Sequence, residues 1–201
     1  MQTFTTTAPI AAILDIPAGR IQFIAADRAD TAVEVRPADA SKSRDVKAAE
    51  ETEVAFADGV LRIKGQTGNQ ILGASGVVEV TVQLPAGSRV EAKAASAEFR
   101  GVGRLGDIAF EAAQSDIKID EAANVRLTTQ AGDVTIGSLT GSAEIGTQKG
   151  DITVGVAAGL SASLDAGTSY GRIQNSLKNN GTPDLTIRAT TAYGDISARS
   201  L

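Results

Sequence analysis

One feature constrains the fold of this chain more than any other. A small residue followed by a charged one recurs along its C-terminal half, at Ala97-Glu98, Ser115-Asp116, Gly132-Asp133, Gly150-Asp151, Gly171-Arg172 and Gly194-Asp195. The charged members stand 18, 17, 18, 21 and 23 residues apart. Eight, six and four positions before each of them the side chain is apolar or Thr, as in Ile108/Phe110/Ala112, Val125/Leu127/Thr129 and Ala143/Ile145/Thr147. The residue just after is always apolar: Phe99, Ile117, Val134, Ile152, Ile173 and Ile196. Positions in between are often polar, as with Arg126, Thr128, Gln130, Glu144 and Gln148. Alternation of period two is the signature of half-buried strands, so each unit reads as a strand, a tight turn at the small-charged pair, and a second strand.

A unit of about 18 residues with one apolar face on each strand cannot bury that face alone, so successive units must stack. The sequence therefore predicts an all-β fold, a β-solenoid or parallel β-helix-like stack of two-strand rungs about 4.8 Å apart, with equivalent residues in columns. Composition agrees with thin layers. Of 201 residues 42% are apolar but only 3% are aromatic, and Trp is absent. The whole chain reads as one β-repeat domain, with regular repeats over 88–201 and a less regular part over 1–87. In the latter, Ala12/Leu14/Ile16, Gly19-Arg20, Ile21 and Phe23 fit the template as one more rung. Val54/Phe56, Val60/Leu61/Ile63 and Val78/Val80/Val82/Leu84 read as further strands, with a hairpin turn at Ala57-Asp58-Gly59-Val60. A short helix is expected from Arg44 to Glu51 and a Gly-rich loop from Gly65 to Gly76.

The residue inventory removes several chemistries. With neither His nor Cys, the chain has no Ser/His or Cys/His nucleophile, no thiolate or imidazole zinc site and no disulfide. No cofactor is expected. A net charge of −5 disfavours nucleic acid and anionic membrane surfaces. Pro9 and Asp15 interrupt the apolar stretch from Ala8 to Ile16, so no membrane insertion is expected. As written the chain is expected in the cytoplasm, or at the cell surface if an export signal has been removed.

The conspicuous candidates are columns. Glu98, Asp116, Asp133, Asp151, Arg172 and Asp195 are expected to form a structural turn column, the carboxylates accepting local backbone N–H groups. A divalent-cation or sugar site on Asp116, Asp133 and Asp151 is the competing reading. Arg172, lying in sequence between Asp151 and Asp195, is expected to relieve charge between them. Thr129, Thr147, Thr168 and Thr191 share the parity of the apolar positions and should point inward. Tyr170 and Tyr193, one residue before Gly in successive units, either cap the end of the stack or offer a ligand surface for a sugar.

The opening PIAAILDIPAGRIQFIAADRADTAVEVRPAD resembles the bacterial putative-adhesin family of β-strand-repeat proteins, a family of unknown molecular function. So do SRDVKAAEETEV with ADGVLRIKG, VTVQLPAGSRVEAKAASAEFRGVGRLGD, the recurring Gly-Asp-Val/Ile turns, and the closing SASLDAGTSYGRIQNSL and TAYGDISARS. The resemblance covers nearly the whole chain and implies a β-repeat fold. The expected function is non-enzymatic binding or assembly with a protein or glycan partner. The alternatives are a carbohydrate-active β-helix enzyme using the Asp column, and a self-assembling scaffold or homo-oligomer joined through an unpaired terminal edge.

Overall fold

Apolar-polar alternation draws most of the chain into strands whose inward residues share one core. The computed structural model describes residues 1–66 and 76–201; residues 67–75 of the expected Gly-rich loop lie outside them. The N-terminal part holds β1 (Gln2–Thr5), β2 (Ala11–Ala26), β3 (Asp30–Pro37), α1 (Ser43–Glu50), β4 (Glu53–Ala57), β5 (Val60–Lys64) and β6 (Val78–Pro85). Two long strands follow, β7 (Arg89–Arg104) and β8 (Ile108–Ala122). Four shorter pairs complete the chain: β9 (Val125–Thr128) with β10 (Val134–Leu139), β11 (Ala143–Gly146) with β12 (Ile152–Val156), β13 (Ala162–Tyr170) with β14 (Ile173–Ser176), and β15 (Leu185–Tyr193) with β16 (Ile196–Ser200).

Each unit contributes two arms that meet at the small-charged pair. First arms lie side by side in the order β5, β2, β7, β8, β9, β11, β15, β13, all in parallel. Second arms run β6, β2, β7, β8, β10, β12, β16, β14, again in parallel. The expected tight turn is a corner rather than a reversal. The strand runs on through Ala97-Glu98 and Ser115-Asp116, and breaks only where the pair begins with Gly.

The register places like residues in columns. Phe110, Leu127, Ile145 and Ala189 align across the first arms, and Phe99, Ile117, Val134, Ile152 and Ile196 across the second; all are buried. Between them Arg126, Glu144 and Gln148 are exposed. The phenylalanines concentrate toward one end, with Phe99 4.7 Å from Phe110 and 5.9 Å from Phe23 between ring centroids.

Sequence order and spatial order part company at the C-terminal end. The unit 185–200 lies between 143–156 and 162–176, so the successive stacking expected for the last two units is corrected. Side-chain chemistry explains the exchange. Leu185, Ile187, Ala189, Ile196 and Ala198 fill the inward places of the inserted unit other than that of Thr191 and are at most 3% exposed. The unit 162–176 brings Asn175 to the inward place that Ala198 holds in the inserted unit, and a buried carboxamide without partners costs about 1–3 kcal/mol. At the end of the stack Asn175 stays in water.

The opposite end is built differently. β1 runs antiparallel to β3, β3 to β6, and β4 to β5 through the expected turn, where Asp58 and Gly59 take left-handed φ of 52° and 74°. Helix α1, one residue upstream of its expected span, packs against β3 and β6. Its Asp45 is 2% exposed and accepts the Val77 N–H at 3.0 Å.

Candidate functional site

Stacked corners turn the small-charged pairs into a ladder. In space it reads Glu79, Arg20, Glu98, Asp116, Asp133, Asp151, Asp195, Arg172. The Asp133 N–H donates to Asp116 Oδ1 at 3.0 Å, Asp151 N–H to Asp133 Oδ1 at 2.8 Å, and Asp195 N–H to Asp151 Oδ1 at 2.7 Å. The Arg172 N–H donates to Asp195 Oδ1 at 2.8 Å. Each carboxylate thus accepts from the next unit, and the local acceptance expected from the sequence is corrected. A parallel stack aims successive corner amides along its axis, which puts the neighbour's N–H nearer than the turn's own.

Arg172 is also corrected. It lies outside Asp195, at the end of the ladder, because the unit that carries it is the outermost. Its guanidinium meets Asp195 Oδ2 at 3.1 Å, and at the other end Arg20 meets Glu98 at 2.9 Å and Glu79 at 3.4 Å. Arginines therefore close both ends of a row of carboxylates. The Arg172 backbone N–H, and then its guanidinium, hold the Asp195 carboxyl below its usual range. Glu98 hydrogen-bonded to Arg20 raises the guanidinium pKa above its ordinary value.

Like charges about 4.8 Å apart repel by about 1 kcal/mol in water and 3–4 kcal/mol at an effective dielectric of 20. One amide dipole at each of Asp116, Asp133, Asp151 and Asp195, together with the Arg20 and Arg172 guanidinium groups, opposes that repulsion. Among the described residues no three acidic side chains converge as a metal cluster. Millimolar Ca²⁺ or a chelator should leave the melting temperature unchanged, and Asp133→Ala should cost about 0.5–2 kcal/mol, as loss of a side-chain cap does. A Ca²⁺-dependent rise in melting temperature that Asp133→Ala abolishes would make the ladder a cation site.

The threonine column lies inside the corner. Thr129 and Thr191 are buried and Thr168 half-buried, their hydroxyls donating to the Ala131, Gly150 and Gly194 carbonyls at 3.0, 3.1 and 3.0 Å. The buried Thr147 hydroxyl has no partner. Tyr170 and Tyr193 are adjacent and exposed, their rings stacked at 4.9 Å and 3° on the outermost two units.

Sequence reasoning missed the outer face of the first arms. There a groove of about 640 Å³ crosses β7, β8, β9, β11 and β15. The residue seven places before each ladder position lies on this face: Glu91, Ala109, Arg126, Glu144, Arg188 and, on the end unit, Asp165. Arg126 meets Glu144 at 3.1 Å and Arg188 meets Asp165 at 3.3 Å. The signal was present, since these residues share one offset. Only the swapped order of the last two units makes their charges alternate.

The Toastrack DUF4097 family model matches residues 12–200. The chain belongs to the Toastrack DUF4097 family. No curated protein matches it. Among solved structures, a "putative cell adhesion protein" from Clostridium sporogenes is similar over 100% of this chain and 98% of that one, at 11% identity and TM-score 0.54. A "putative adhesin" from Bacteroides fragilis aligns over 98% and 95% at 13% identity, with TM-score 0.46. The Clostridium likeness concerns the Toastrack fold alone. Among the described residues no helix is long and apolar enough to cross a membrane.

Proposed function

We propose that this Toastrack chain is a non-enzymatic β-solenoid whose groove across the first arms binds an extended protein or glycan partner. The observation that carries the reading is the groove floor, where Arg126, Glu144 and Arg188 alternate in charge at strand spacing across β9, β11 and β15. Such a row matches a linear ligand with polar groups at regular intervals, and its partly exposed ion pairs exchange partners at little cost.

Immobilised polysaccharides and extended peptides presented at low salt are the test. Binding should occur without new reducing ends or unsaturated products. Arg126→Glu should weaken it at least about tenfold while the melting curve is unchanged. Turnover lost in Asp133→Asn with the fold intact would make the chain an enzyme, and binding indifferent to Arg126→Glu would remove the groove from the reading.

A further inference from the structure

The stack has one finished end and one unfinished end. At the first, helix α1 and the short antiparallel edge strands β1 and β4 interrupt the parallel stacking, whereas at the second the parallel stacking stops at β13 and β14 with nothing antiparallel added. At this second end the core columns run out. Ile173 continues the column in which Val134, Ile152 and Ile196 are at most 1% exposed, yet it is 46% exposed. The outer face of the Tyr170 ring, beyond its stack on Tyr193, is open. The backbone is unfinished too. Ile117, Val134, Ile152 and Ile196 each donate their N–H to a carbonyl of the next unit, and at Ile173 that direction leads out of the stack.

Three observations choose the occupant. First, Arg172 replaces the carboxylate that each of the four units before it offers to the next corner N–H, so a further unit added in the same sense finds no acceptor. That disfavours head-to-tail growth. Second, the end matches itself in the opposite sense. Turned over about an axis through the Tyr170–Gly171 corner, β13 of one copy lies antiparallel to the second arm of the other. Thr168 then opposes Ile173, Ala166 opposes Asn175 and Leu164 opposes Leu177, every inward position facing an inward position. A one-residue slip would set inward against outward throughout. Third, although the chain carries −5, the charges of the end segment cancel, Asp165 and Asp184 against Arg172 and Lys178. Two copies meet there without net repulsion.

We propose that this end joins the same end of a second copy, as a closed two-fold dimer in which β13 of each copy pairs antiparallel with β14 of the other and the four tyrosines form one pile. The contact covers the β13 and β14 edges of both copies and, being isologous, does not propagate. It is independent of the groove and stands or falls without it.

Sedimentation of the full chain up to about 200 µM, a range suited to a small interface, is the first test. The mass should rise with concentration toward twice 20.5 kDa and stop there. Ile173→Lys, at a half-exposed position, should raise the dimer dissociation constant at least about tenfold with an unchanged melting curve. Because the chain has no cysteine, Tyr170→Cys places a single thiol beside the two-fold axis and should oxidise to a covalent dimer, whereas Arg126→Cys on the groove should not. A monomer at every concentration would overturn the proposal. So would open-ended fibres, or a dimer indifferent to both Ile173→Lys and the position of the cysteine.

Discussion

Leu127→Asp should leave no cooperatively folded protein. Leu127 is 1% exposed, opposed by Phe110 on one side and Ile145 on the other, in the middle of the first-arm column. Truncating such a leucine costs about 2–5 kcal/mol, and the carboxylate adds the cost of an unpaired charge among hydrocarbon. A marginally stable domain has about 5–15 kcal/mol in all. In a stack the damage spreads, because each unit finds most of its core only in its neighbours. Circular dichroism and thermal melting are the check. A variant melting within a degree of the parent would refute the register. Arg126→Asp, one residue away on the outer face, should keep the fold and melt within about 0.5 kcal/mol of the parent.

Gly150→Ala should be nearly as damaging for a different reason. A methyl group at Gly150 would overlap the Gly132 carbonyl oxygen, with its carbon only 2.6 Å away, and neither atom can turn aside as a side-chain end could. The φ of +150° adds backbone strain. To make room, two corners must separate, which stretches the Gly132 N–H bond to the Lys149 carbonyl and the Asp151 N–H bond to Asp133 together. The expected loss is about 3 kcal/mol or more. Two other glycines separate the causes. Gly159 has φ of +86° but open space, so Gly159→Ala should cost about 1–2 kcal/mol from conformation alone. Gly146 has only Thr190 Oγ1 at 3.6 Å and no left-handed φ, so Gly146→Ala should be close to neutral. Equal losses at all three positions would show that crowding at the corner is not what selects glycine there.

Those parts of this protein whose signal is local are legible in the amino-acid order. Alternation and spacing identify the strands, the inward positions from Leu127 to Ile196, the corner pairs, the Asp58-Gly59 turn and the short helix, since each rests on a side-chain parity or a backbone preference that neighbours in sequence already express. The same reasoning located the ladder residues but misjudged how they bond. Which unit lies next to which emerges only from packing in three dimensions. The last two units compete for one place beside β11 and β12, and the choice falls on the one that keeps Asn175 out of the core. That exchange sends Arg172 to the end of the ladder, makes the outer charges alternate across the groove, and leaves Ile173 and Tyr170 on an open end. None of these follows from spacing, because repeating units with the same period have nearly equivalent edges, and small differences in buried polarity settle the order of the stack.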